Sequence, residues 1–169
     1  MSGSSSAFSN GYLSDRQQSN IQRKDLDLNE LIVLCSKPLG IEERVIELQR
    51  YSAIYPELKL FLIVAYFCKD AFSQINAIGP IDYIPSKIPK GGSPENLKSM
   101  WREITKMYDD FPSGARVKRG KAQTLLGSLY AEDAVLVANL ISGKFYSKEL
   151  NEVVVSKAFP KETPQDPKT

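Results

Sequence analysis

The stretch Leu60-Phe-Leu-Ile-Val-Ala-Tyr-Phe-Cys68 is the longest apolar run of the chain, and it decides the fold class. The run is far shorter than a bilayer requires and charged residues flank it, so it predicts a buried helix and not a membrane segment. Its β-branched and aromatic residues also suit a strand, but its length favours a helix. Pro56 suits the first helical position. We therefore expect a central helix over residues 56–76, apolar nearly all around.

Hydrophobic periodicity predicts further helices on both sides of this central element. Ser93 and Pro94 look like the best helix start in the chain, a cap followed by proline at the first helical position. No pair of segments shows the alternation and turn residues of a β-hairpin. We predict an all-α fold, a compact bundle of about six or seven helices. The expected helices besides the central one are 26–36, 41–51, 93–111, 121–129, 131–142 and 147–159.

Length and composition indicate one domain with disordered ends. The chain has 169 residues and a mass of 18.9 kDa, enough to bury a core without a metal or disulfide. Ser, Gly, Asn and Gln dominate the N-terminal part, a composition that does not order itself. We predict a disordered Ser-rich arm over 1–24, a single helical domain over 25–160 and a disordered tail over 161–169.

The absence of histidine argues against most catalytic and metal chemistry. No histidine occurs, which removes Ser-His and Cys-His nucleophile pairs and His-containing zinc sites. Cys35 and Cys68 each lie in an apolar run, which predicts small buried hydrophobes in a reducing compartment. We therefore expect no enzyme activity, no catalytic residue, no cofactor and no metal.

Local clusters of cations are the main functional signal, because the net charge is only +2. The stretch Arg116-Val-Lys-Arg-Gly-Lys121 lies at a predicted helix start, where the helix dipole disfavours cations unless an anion is bound. Together with Gly114 it resembles a nucleotide-binding P-loop, but five residues instead of four separate Gly114 from Gly120, and alanine follows Lys121 where a hydroxyl is needed. An open alternative is a solvated basic loop that pairs with Asp109 or Asp110.

A second basic feature precedes this stretch. Lys98, Arg102 and Lys106 follow one another at four-residue spacing, so they share one face of a predicted helix. Tyr83, with Lys87 and Lys90, offers an aromatic side chain in the long loop before that helix, although an anchoring role for Tyr83 is the more common one.

Two other features have structural interpretations. Glu132 and Asp133 are neighbours at a helix start, so they do not face each other and suit the helix dipole better than acid-base catalysis. Trp101 lies on the apolar stripe of its helix, which predicts core packing.

The last third of the sequence carries a family resemblance. Residues 129–145 and 150–160 combine an acidic helix start, an aliphatic helix, a Gly-Lys break and a helix that ends in an aromatic residue and Pro160. This pattern resembles a family of small helical proteins of unassigned function encoded by tailed bacteriophages. It also resembles the N-terminal DNA-binding domain of phage ATP-dependent DNA ligases.

The resemblance implies an all-helical module that grips duplex DNA by its backbone, in the cytoplasm of the infected bacterial host. It does not imply ligase activity, because the Lys-x-Asp-Gly motif of the catalytic domain is missing. We expect a non-enzymatic phage accessory protein that binds DNA without sequence preference, with no membrane association. The alternative is a protein-interaction adaptor of the phage replication or transcription machinery, or a virion component, with an acidic partner. The predicted DNA-binding residues are Lys98, Arg102, Lys106, Arg116, Lys118, Arg119 and Lys121.

Overall fold

The computed structural model describes residues 26–163, and this part of the chain is all-α, as predicted. It contains eight α-helices and one 3₁₀ turn, with no strand between residues 26 and 163. The predicted arm and residues 164–169 lie outside the described residues. The elements are α1 Leu28–Ser36, α2 Ile41–Ile54, α3 Pro56–Phe67, the 3₁₀ turn Lys69–Phe72, α4 Ser73–Ile78, α5 Leu97–Thr105, α6 Ala115–Ser128, α7 Ala131–Ile141 and α8 Glu152–Ala158.

Helix α3 is the centre of the bundle. It contacts α2, α5, α7 and α8, and its buried residues lie nearly all around its axis. The predicted single helix over 56–76 is interrupted, however. The backbone leaves the helical conformation at Cys68, and the 3₁₀ turn then leads into α4. This break places both Phe72 and Ile75 fully inside the core, while Cys68 is exposed, contrary to its predicted burial.

Two predicted helix starts are displaced. Helix α5 begins at Leu97 and is capped by Asn96, whose side chain accepts a hydrogen bond from the Ser99 amide at 2.8 Å. The hydroxyl of Ser93 instead accepts a hydrogen bond from the backbone N–H of Tyr130. The residue predicted as a local cap therefore fixes the long loop 79–96 to the start of α7.

The basic stretch is part of a helix and does not form a turn before one. Helix α6 begins at Ala115, so its first two turns contain all four cations of the stretch. The final helix is shorter than predicted, because Asn151 caps α8 by accepting a hydrogen bond from the Val154 amide at 3.1 Å.

The described chain packs beyond the predicted domain boundary at residue 160. Thr163 is buried, and its hydroxyl donates a hydrogen bond to the carbonyl oxygen of Phe159 at 3.1 Å. Glu162 forms an ion pair with Lys59 of α3 at 3.7 Å. The first residues of the predicted tail thus contact the helical domain.

Candidate nucleic-acid interface

Lys118 does not lie on the surface. Its side chain is 0 % exposed, and its ammonium group donates to the side-chain oxygen of Gln74 at 2.9 Å and to the carbonyl oxygen of Asp109 at 3.0 Å. The Asp109 carboxylate in turn accepts a hydrogen bond from the Gln74 amide at 2.9 Å. Lys118 therefore joins α6 to the start of α4 and to the turn after α5. This burial argues against the predicted phosphate contact and supports pairing with Asp109, through its backbone.

Arg119 is engaged in fixing the long loop. Its guanidinium group donates to the carbonyl oxygens of Gly79 and Pro80 and lies 3.5 Å from the Asp82 carboxylate. The Arg119 side chain is only 17 % exposed, while that of Asp82 is 90 % exposed. One turn further along α6, Gln123 donates to the Asp82 carbonyl oxygen at 3.0 Å. Because three of its five N–H donors point at the loop and its side chain is largely covered, Arg119 anchors the loop and offers little to a phosphate.

The remaining predicted cations lie on two helices that pack against each other, α5 and α6. Lys98 and Arg102 are exposed on α5, outside its buried stripe, which includes Trp101 at its predicted core position. Arg116 is exposed in the first turn of α6, and Lys121 is half-buried in its second turn. We name Lys98, Arg102, Arg116 and Lys121 the α5–α6 basic surface.

These four cations lack acidic partners within the described chain. None of them forms an ion pair with a residue between 26 and 163, whereas other surface cations, such as Arg50 and Lys157, pair with nearby glutamates. Lys106 also has a partner, since its ammonium group lies 3.1 Å from the Glu103 carboxylate.

A groove of about 500 Å³ lies between parts of α5 and α6, next to Lys121. Lys121 lines it together with Glu95 and Glu103, so the groove itself is of mixed charge. At one end of α6, the first turn has no acidic residue and no side-chain cap. By contrast, α2 and α7 each begin with two acids, as the helix dipole favours.

The loop residues considered with this surface do not extend it. Tyr83 is half-buried against the core, in line with the anchoring role. Lys90 forms an ion pair with Glu30 of α1 at 3.6 Å, and Lys87 is exposed.

Asp133 has a structural role that reaches further than its own helix. Its carboxylate is buried and accepts hydrogen bonds from the amides of Leu28 and Asn29, at 3.2 and 2.8 Å, so it caps α1 from the start of α7. Glu132 accepts a hydrogen bond from the Asn29 side chain at 2.7 Å. Burial raises the pKa of Asp133 to about 6, and the neighbouring Asp27 adds to this rise, while the hydrogen bonds oppose it. The sequence showed no sign of this partner, which lies 105 residues away.

The described residues, 26–163, contain no group of three His, Cys, Asp or Glu side chains placed to hold a metal ion. Among the helices in this range, none is long and apolar enough to cross a membrane. Comparison with known proteins finds no matching family model, no matching curated protein and no matching solved structure.

Proposed function

We propose that this protein binds duplex DNA without sequence preference through the α5–α6 basic surface, with Lys106 as an auxiliary contact. The observation that carries the proposal is the set of four cations, on two packed helices, that have no acidic partner within residues 26–163. Unpaired cations on rigid elements are available to phosphates without first losing an intramolecular ion pair.

The mechanism is neutralisation of phosphate charge. Each cation that contacts a phosphate releases condensed counterions, which gives affinity without reading the bases. Arg116 lies beside the uncapped amides of the first turn of α6, a place where the helix dipole also favours an anion. The buried Lys118 and the anchored Arg119 act indirectly by holding this helix start in position.

The biological setting follows from the resemblance of residues 129–145 and 150–160 to phage proteins. We propose a non-enzymatic accessory protein of a tailed bacteriophage that works in the cytoplasm of the infected host. No cofactor or metal is part of this proposal.

One observation favours the alternative, an adaptor that binds an acidic protein. Glu95 and Glu103 line the groove beside Lys121, and such a mixed-charge surface repels part of a uniformly anionic backbone. A protein partner with both signs of charge fits this groove better than a duplex does. Binding to DNA of arbitrary sequence distinguishes the two functions, since a DNA-binding protein shows it and an adaptor for an acidic protein does not.

The experiment is a fluorescence-anisotropy titration of labelled duplexes of unrelated sequence at several salt concentrations. The double variant Lys98→Ala and Arg102→Ala should reduce the slope of log affinity against log salt by up to about 1.8, since each phosphate contact contributes about 0.9. The matched control removes Lys37 and Lys161, two exposed lysines outside α5 and α6. If wild type does not bind at low salt, or the control lowers the slope equally, the proposal fails.

A further inference from the structure

We propose that a cleft between the 3₁₀ turn and the loop joining α7 to α8 binds an unpaired nucleotide of a single-stranded nucleic acid. In this site the base stacks on Tyr146, and the flanking phosphates contact Lys69 and Lys144. The cleft has a volume of about 420 Å³, and Glu152 of α8 also lines it. It shares no residue with the α5–α6 basic surface, so the inference goes beyond duplex binding there and does not rest on it.

Tyr146 is unusual among the aromatic residues of this protein. Its side chain is 69 % exposed, whereas every other aromatic residue between 26 and 163 is buried or half-buried. A ring left in water forgoes the stabilisation that its burial would supply to the fold. An exposed aromatic ring is the feature on which nucleic-acid bases stack, and stacking is tolerant of sequence because every base has a π-face.

The loop that carries Tyr146 is held firmly by its neighbours. Phe145 is buried, with its ring 5.1 Å from that of Phe61 and 5.9 Å from that of Tyr66, both in edge-to-face geometry. On the far side of Tyr146, the Ser147 amide donates to the Tyr66 hydroxyl at 3.0 Å. Because the residues on both sides are tied to α3, little ordering entropy remains to be lost when a base stacks on Tyr146.

The N-terminal side of the loop is also fixed. Gly143 has a φ of +74°, a left-handed conformation that suits glycine, and the amides of Lys144 and Phe145 both donate to the Asn139 carbonyl oxygen, at 2.8 and 3.1 Å. A Cβ built on Gly143 would lie 3.9 Å from the carbonyl oxygen of Lys69. The loop thus passes close to the 3₁₀ turn and brings the two lysines to one cleft.

The charges of the cleft match a nucleotide. Neither Lys69 nor Lys144 forms an ion pair with any residue in the range 26–163, so both ammonium groups are available to phosphates. Glu152 is the single acid among the lining residues. Its carboxylate repels phosphate and accepts a hydrogen bond from a base N–H, such as the N3–H of thymine, which favours a base on that side and the phosphates near the lysines.

The test compares two labelled strands of equal length, a short oligo(dT) and an abasic strand with the same number of phosphates. Wild type should prefer oligo(dT) by at least about fivefold, the lower end of what one stacked base contributes. Tyr146→Ala should abolish this preference, while Tyr146→Phe should retain it because the ring stays. Replacing both Lys69 and Lys144 by Gln should lower the salt slope for either strand by about 0.7 per lysine.

Two results would overturn the inference: equal affinity of wild type for oligo(dT) and the abasic strand, or equal affinities of Tyr146→Ala and Tyr146→Phe for oligo(dT). The variant Lys98→Ala with Arg102→Ala separates the two proposals, since it should leave the preference for oligo(dT) unchanged. Duplex binding that depends on Lys98 and Arg102, without single-strand binding, refutes this site and leaves the proposed function intact. Stacking on Tyr146 without duplex binding refutes the proposed function and leaves this site intact.

Discussion

Lys118 and Arg116 lie two residues apart in one basic stretch, yet the structure predicts opposite consequences for their removal. Lys118 is fully buried and donates two hydrogen bonds, whereas Arg116 is exposed in the first turn of α6. Replacing each by Met keeps an unbranched side chain of similar length and removes only the charge and the donors. The pair of variants therefore separates a structural cation from a surface cation.

The expected loss in the free energy of unfolding for Lys118→Met follows from the two acceptors that lose their hydrogen-bond donor. Gln74 is exposed, so its side-chain oxygen regains water, while Asp109, whose carbonyl oxygen is the other acceptor, is a half-buried residue. One acceptor left without a partner costs about 1–3 kcal/mol, and we expect a loss of about 2 kcal/mol in the free energy of unfolding. For a chain of this length that corresponds to a fall of about 4–8 °C in Tm. Lys118→Ala should cost more, because it also leaves a cavity.

Arg116→Met should change the free energy of unfolding by no more than about 0.5 kcal/mol. The variant should be slightly more stable than wild type, because a cation near a helix N-terminus is unfavourable. Thermal unfolding followed by circular dichroism measures both effects. In the anisotropy titration, Arg116→Met should lower the salt slope by about 0.9 while Lys118→Met leaves it unchanged. A Lys118→Met variant of wild-type stability with a reduced slope would refute the structural role of Lys118.

Two further predictions concern stability. The pKa of Asp133 is raised in the fold to about 6 from 3.8, so the folded state binds more protons than the unfolded state between these pH values. The contribution of this group to the free energy of unfolding should therefore decrease by about 1–3 kcal/mol as pH rises from about 4 to about 7. Urea unfolding across this range should show the decrease in wild type and a flatter profile in Asp133→Asn, and parallel profiles of the two proteins would contradict the argument. Gly120→Ala, in the interior of α6 with no atom within 4 Å of the added Cβ, should stabilise the protein by up to about 1 kcal/mol. Gly143→Ala, at a φ of +74°, should destabilise it by about 1–2 kcal/mol, and equal effects in thermal unfolding would refute the backbone argument.

The helical class could be predicted because it depends on local signals. The apolar surface of α3 and the amphipathic stripe of α5 are visible in the sequence, since they recur at helical spacing. Boundaries were less predictable where a tertiary contact replaces a local one. Serine is a residue type typical of helix caps, but the Ser93 hydroxyl accepts a hydrogen bond from the Tyr130 amide, and Asn96 caps the helix instead. No local pattern distinguishes these two uses of a short polar side chain.

The same limit applies to Asp133. Its two backbone partners belong to α1, and a contact across 105 residues leaves no periodic trace in a single sequence. Asp133 lies in the first turn of its own helix, α7, as its dipole interpretation requires, and its contact with α1 comes in addition.

The burial of Lys118, in contrast, left a trace that depends on where α6 begins. Ala122, Leu125 and Leu126 form the buried stripe of this helix, and Lys118 lies four residues before the first of them, on the same face. A helix that starts at residue 121, as predicted, ends this stripe at Ala122 and places Lys118 in a turn. Because α6 begins six residues earlier, at Ala115, the four cations of the stretch point in different directions around the helix axis. Successive residues of a helix are rotated by about 100°, so Lys118 lies in the core while Arg116 and Val117 are exposed to solvent. A run of charged residues therefore predicts a binding surface only after the helical register is known.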